Sequence, residues 1–257
     1  MKIDFVATCG DSFACGIGLP GHENFEKSFG GLSAQYLQVP QRVIARSGCC
    51  NYAIWLQVKH VVKEWSKQGN PFVIVSITNS ARVTWYKPFA DPNTGDEPTV
   101  EHLNYEDYEP YSTHTEHRRS IPVDTDNIMQ SETLQNLDSF FDSSIKATWP
   151  QMKQEPIARL KVLKEWVANF FNFEVKQEYD NAILLNAHCL LKQAGIPHVF
   201  LGWQPDLESM LPKENYIGID WGHWTQRYPD SQGTGHCDEH GHREVFQQIL
   251  PAIKSQC

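Results

Sequence analysis

The sequence predicts an α/β fold, a three-layer α/β/α sandwich around a mostly parallel central sheet. Three observations carry this expectation. Short apolar runs alternate with stretches of helical periodicity, the pattern that consecutive βαβ units write into a chain. The run over 72–77 is almost continuously apolar, as a parallel strand covered on both faces has to be. The 257 residues are 40% hydrophobic and 21% charged, an ordinary globular balance that can build a sizeable core.

Taken in order, a first strand is expected over 3–8, ending at the turn Cys9-Gly10-Asp11-Ser12. A helix over 25–37 and a short strand over 42–45 follow. Residues 52–66 set Ile54, Val58, Val61, Val62 and Trp65 on one helical stripe. The turn Gly69-Asn70-Pro71 then leads into the strand over 72–77. From about 86 to 155 the chain becomes polar and is punctuated by Pro88, Pro92, Pro98, Pro110, Pro122 and Pro150, with no sustained period beyond an amphipathic patch over 134–145. So long a structureless stretch inside a compact domain reads as an insertion folded like a cap over one end of the sheet. Its aromatic residues, Tyr105, Tyr108, Tyr111, Phe140 and Phe141 among them, argue against a disordered connector. Helices are expected near 156–172 and 175–194, the second stopped by Gly195, followed by a strand over 197–202. A polar loop region over 204–241 precedes a final helix over 243–253. Residues 1–257 therefore form a single domain with one insertion.

The net charge of −9 argues against nucleic acid as a partner, because phosphate neutralisation needs clustered Lys and Arg. No segment approaches the roughly 20 apolar residues of a spanning helix, so no membrane span is expected. The opening Met1-Lys2-Ile3-Asp4-Phe5-Val6-Ala7, broken by Asp4, reads as a strand entering a fold and not as a secretory signal. Together with an odd number of cysteines, seven, this points to reduced thiols and a cytoplasmic location.

The chemistry gathers at the two ends of the chain. Ser12 lies just past a buried first strand, at the carboxyl edge of the sheet where open α/β folds bind ligands. The small residues Ala14-Cys15-Gly16-Ile17-Gly18 allow close backbone approach there. At the other end, His236-Cys237-Asp238-Glu239-His240-Gly241-His242 directly precedes the last helix. A histidine in that position can reach across the sheet edge to the first turn, and a serine hydroxyl needs such a base at neutral pH. A metal site built from His236, Cys237, Asp238, His240 and His242 is a rival, since the donor types suit zinc. Against it, Gly241 should interrupt a helix there, and neither an HExxH nor a paired CxxC pattern occurs. Cys9 and Cys15 flank the serine turn, but small-residue packing accounts for both.

These blocks resemble those of the SGNH (GDSL-like) hydrolases, a family of esterases and acylhydrolases. Gly10-Asp11-Ser12 matches the serine block, and Ala45-Arg46-Ser47-Gly48-Cys49-Cys50-Asn51 is similar to the second. Ser76-Ile77-Thr78-Asn79-Ser80 resembles the third, and His236 followed by Gly241-His242 resembles the last. The resemblance implies the flavodoxin-like form of the three-layer fold and metal-independent hydrolysis of a carboxylic ester without a cofactor. The substrate it implies is a small-molecule or carbohydrate ester. It implies Ser12 as nucleophile, His236 as general base, and Gly48 and Asn79 as oxyanion donors beside the Ser12 N–H. Three positions, in two of the blocks, depart from the family pattern. Ile77 and Ser80 stand where glycine and aspartate are usual, and Gly233 stands where an aspartate precedes the histidine by three. Asp230 is the nearest upstream carboxylate, and Gly233 and Gly235 would let the chain fold back to it. Otherwise a backbone carbonyl or water holds the imidazole and leaves a Ser–His dyad. Asp238 is expected to cap the last helix. The alternative reading is a catalytically idle domain of the same fold that binds carbohydrate or serves a structural purpose.

Overall fold

Three segments of the chain are buried at every position: Phe5–Cys9 (β1), Pro71–Ser76 (β3) and His198–Gly202 (β6). Strands of this kind must be covered on both faces. The computed structural model, which describes residues 2–20, 25–45, 49–80, 82–86, 120–124, 172–231, 233 and 235–257, puts them side by side. With Gln41–Val43 (β2) and Tyr216–Gly218 (β7) at the edges they form a five-stranded, all-parallel sheet in the order β2-β1-β3-β6-β7. Val6 stands opposite Phe72, and Thr8 opposite Ile74, which in turn faces Val199.

Among the described residues the α-helices are Phe29–Leu37 (α1), Asn51–Lys63 (α2), Phe173–Gln193 (α3), Pro205–Met210 (α4), Trp221–Arg227 (α5) and Glu239–Gln256 (α6). Alternation along each strand sorts side chains into two cores. Phe5, Ala7, Cys9, Val73, Val75 and Phe200 pack with Ile54 and Val58 of α2 and Leu184 and Leu191 of α3. Val6, Phe72, Ile74, Val199 and Leu201 pack with Phe29 of α1 and Val245 and Ile249 of α6. Because α1 and α2 cover opposite faces, the chain winds one way from β1 to β2 and the other way into β3. The direction reverses between β1 and β3, and the loops leaving these neighbouring strands part at the carboxyl edge. A crevice at such a point is where doubly wound sheets hold ligands.

Four expectations need correction or completion. The 204–241 region is not a loop: it holds α4, the edge strand β7 and α5. Elements of three to seven residues are too short to display a period. The last helix begins at Glu239 instead of 243, and Gly241 does not interrupt it. Asp238 takes the N-cap, its Oδ1 accepting from the Gly241 N–H at 2.8 Å. A methyl on Gly241 would come within 2.8 Å of Cys237 Cβ and 2.9 Å of Tyr228 Cβ, so close packing explains that glycine. The first helix starts late, at Phe29, capped by Ser28, with a 3-10 turn over Phe25–Lys27 before it. Within the expected insertion, Ser120–Asp124 (β5) is a strand, paired antiparallel to Arg82–Tyr86 (β4) with Pro122 opposite Thr84. Among the described residues each strand of this ribbon has an edge without a partner strand, and proline is tolerated at such an edge. The remainder of 87–155, including the patch at 134–145, and the helix expected at 156–172 lie outside the described residues. Among the described residues, no helix is long and apolar enough to cross a membrane. They include all seven cysteines, and no disulfide joins any of them.

Candidate active site

Gly10 is the first residue beyond β1 and sits at φ +145°, a conformation an L side chain rarely adopts. A Cβ there would also lie 2.7 Å from both Cβ and O of Ser76 on the neighbouring strand. Gln57, set within the apolar stripe of α2, fastens this residue from both sides. Its Oε1 accepts from the Gly10 N–H at 2.6 Å, and its Nε2 donates to the Gly10 carbonyl at 3.1 Å. The chain then coils tightly. Asp11 Oδ1 accepts from the Phe13 N–H at 3.1 Å, the Cys15 N–H donates to the Asp11 carbonyl at 3.1 Å, and the Ile17 N–H donates to the Ser12 carbonyl at 3.2 Å. Ser12, 3% exposed, lies at the base of this coil.

The second part of the site is the loop before α6. The Asp238 N–H donates to the Tyr228 carbonyl at 2.9 Å, and the Asp230 N–H donates to the His236 carbonyl at 3.1 Å. Gly233 and Gly235, at φ +68° and +77°, supply the reversal between them. The chain thus folds back as the glycines suggest and sets Asp230 beside His236. The buried Asp230 carboxylate accepts the His236 backbone N–H at 3.1 Å, so one contact between the pair is to the main chain.

This loop sits directly on the serine coil. The rings of Phe13 and His236 are 4.9 Å apart. A methyl on Gly18 would stand 2.9 Å from His236 Cβ, 3.0 Å from the Cys237 carbonyl and 3.1 Å from Asp230 Cβ. Behind them the rings of Phe13 and Trp221 stack at 4.4 Å, those of Trp221 and Phe29 at 6.1 Å and those of Phe29 and His242 at 5.4 Å. His242 Nδ1 accepts from the Phe29 N–H at 3.3 Å, close to the start of α1. Burial lowers its pKa to about 4, and the neighbouring His236 adds to the effect. It is a neutral core histidine.

The donors named for a metal site part company here. Asp238 caps α6, His242 turns into the core, and exposed His240 meets Tyr228 edge-on at 4.9 Å. Burial, reinforced by Asp238 and Asp230, pushes the Cys237 thiol up to about 12. Among the described residues no three His, Cys, Asp or Glu side chains are gathered to hold a metal ion. Cys9 is fully buried and its thiol is raised further, which suits packing and not a thiolate.

The segment after β3 borders the serine coil's strand. Asn79 is exposed there between two buried neighbours, Thr78 and Ser80. Asn51 Oδ1 accepts the Thr78 N–H at 3.0 Å, and its Nδ2 donates to the Thr78 carbonyl at 2.9 Å. The same Nδ2 donates to Oδ2 of fully buried Asp180 at 2.9 Å, and Asp180 is paired with Lys176. On the other side Gln204 Nε2 donates to Ser80 Oγ at 2.9 Å. Gly48 lies outside the described residues. Sequence reasoning assigned no role to Gln57, Asn51, Asp180 or Gln204. The signal for Gln57 was a lone amide in an apolar helical stripe, because a buried polar group needs a partner. In comparison with known proteins, the chain matches no protein-family model and no curated sequence.

Proposed function

We propose that this chain is a serine hydrolase of the SGNH type that cleaves carboxylic esters without a metal or cofactor. The observation that carries the reading is the seating of the His236 loop on the Ser12 coil, at the point where the sheet reverses its winding. In this reading Ser12 Oγ attacks the ester carbonyl carbon while His236 accepts the hydroxyl proton. The tetrahedral oxyanion is held by N–H groups of Ser12 and Gly48 and by the Asn79 amide. Collapse expels the alcohol, which leaves with the proton from His236, and an acyl-serine remains. Water then attacks the acyl carbon and gives a proton to His236; the Ser12 Oγ–acyl bond breaks as that proton passes to Oγ, which releases the carboxylic acid and restores the serine. Asp230 orients and stabilises the imidazolium, or a carbonyl or water does so in its place. Acetyl esters on carbohydrate and short acyl esters are the substrates the family resemblance suggests. The 86–155 insertion would cap the catalytic edge.

A second reading, an idle domain of the same fold, draws support from the low exposure of Ser12. Turnover of p-nitrophenyl acetate separates the two. Hydrolysis that survives chelators and disappears in both Ser12→Ala and His236→Ala supports the esterase. A folded wild type without turnover on acetyl and short acyl esters supports the idle domain.

A further inference from the structure

We propose that Asn51 and Gln204 are positioning residues that clamp the two neighbours of Asn79 and so hold its amide at the carboxyl edge of the sheet. The inference rests on the esterase reading above. It comes from a juxtaposition: Thr78 is tied to the start of α2, Ser80 to the segment after β6, and the exposed residue lies between the two ties.

Both ties are built in ways that stability alone does not favour. Asn51 satisfies the N–H and the carbonyl of Thr78 together, which requires its amide to face one way round. Asp180 fixes that orientation, because a carboxylate only accepts and must therefore meet Nδ2. Doing so keeps the Asp180 carboxyl group fully buried beside half-buried Lys176, and an ion pair with a buried member often contributes less than apolar residues of similar volume. Gln204 is also buried. Ser80 satisfies one end of its amide, while Oε1 has no hydrogen-bond partner among the described residues. An unsatisfied buried amide oxygen costs stability. Its backbone N–H is held separately by Tyr216 Oη at 2.8 Å, so the side chain is not needed to fasten its own segment. What the two ties share is the placing of residue 79. An oxyanion donor works only when it is already aimed at the developing charge.

The test is a double-mutant cycle on ester turnover, with kcat and KM for p-nitrophenyl acetate measured in Gln204→Met, Asn51→Ala, Asn79→Ala and the two combinations with Asn79→Ala. Each clamp variant is expected to lower kcat about tenfold or more, since small misplacements of a catalytic group are costly, with KM within about twofold. In the Asn79→Ala background either clamp substitution should add less than about a twofold loss, because the group it positions is gone. Gln204→Met is close in volume and removes an unsatisfied oxygen, so it decides the matter if Asn51→Ala does not fold. Losses that multiply in the two backgrounds, an effect on KM alone, or an unchanged kcat in Gln204→Met would overturn the positioning role and leave the esterase reading intact. A wild type with neither turnover nor fluorophosphonate labelling at Ser12 would overturn both.

Discussion

Asp230 holds the His236 main chain with two hydrogen bonds, and an asparagine can keep both. Its carboxylate accepts the His236 N–H, while its own N–H pairs with the His236 carbonyl. An asparagine at 230 keeps an acceptor for the first bond and leaves the second untouched, so the loop should hold. What changes is the negative charge, with one acceptor oxygen replaced by an NH2 group. Where a triad depends on its acid, removing that charge costs roughly 10⁴ in turnover. Asp230→Asn is therefore expected to reduce kcat steeply while changing unfolding free energy by less than about 1 kcal/mol, the usual scale of one hydrogen bond. Near-wild-type kcat in this variant would remove Asp230 from the mechanism and leave a Ser–His dyad. Gly18 supports the same site by absence: its φ of +92° and the nearness of His236 Cβ leave no room for a side chain.

At the scale of elements, α6 joins the His236 loop to the core. Asp238 starts it, and one turn on, His242 packs on Phe29 and accepts the backbone N–H near the start of α1. A neutral imidazole is needed for that bond. Because burial holds the folded-state pKa near 4, below the ordinary 6.5, this stabilisation is complete above about pH 6.5 and is lost as the pH falls toward 4. The loss is on the order of 3 to 4 kcal/mol at most, since each tenfold change in proton affinity on folding corresponds to about 1.4 kcal/mol. His198, bonded to the Ile196 carbonyl at 2.7 Å and to His188 at 2.9 Å, adds a similar dependence, since burial lowers it also to about 4. Urea unfolding across this window should show wild-type stability falling as the solution is acidified. His242→Asn, which keeps an acceptor but does not titrate, should fall less; equal slopes would contradict the role given to His242. Elements such as β1, β3, α2 and α6 were legible in the sequence because their burial pattern runs over enough residues to show. The strand β7 and the helices α4 and α5 were not, being short. The clamps of Asn51 and Gln204 could not be read either, because their partners lie far away along the chain and only the fold brings them together.

The molecule as a whole is a sheet whose winding reverses between β1 and β3, with the first turn and the last loop closing over that point. Sequence pattern alone was enough for the α/β class, and the blocks around Ser12 and His236 pointed to the edge where the two loops meet. The identity of the acid in the proposed triad was not legible, because the aspartate position that the family resemblance implies three before His236 is Gly233. In the proposed esterase this meeting point activates Ser12. A fluorophosphonate reacts covalently with a serine only when a neighbouring base has made it nucleophilic. The most direct measurement is therefore peptide mapping of the folded protein after exposure to such a probe. A single adduct on Ser12 is expected, lost in Ser12→Ala and strongly slowed in His236→Ala. An adduct on another serine, or a folded wild type that takes up no probe, would contradict it.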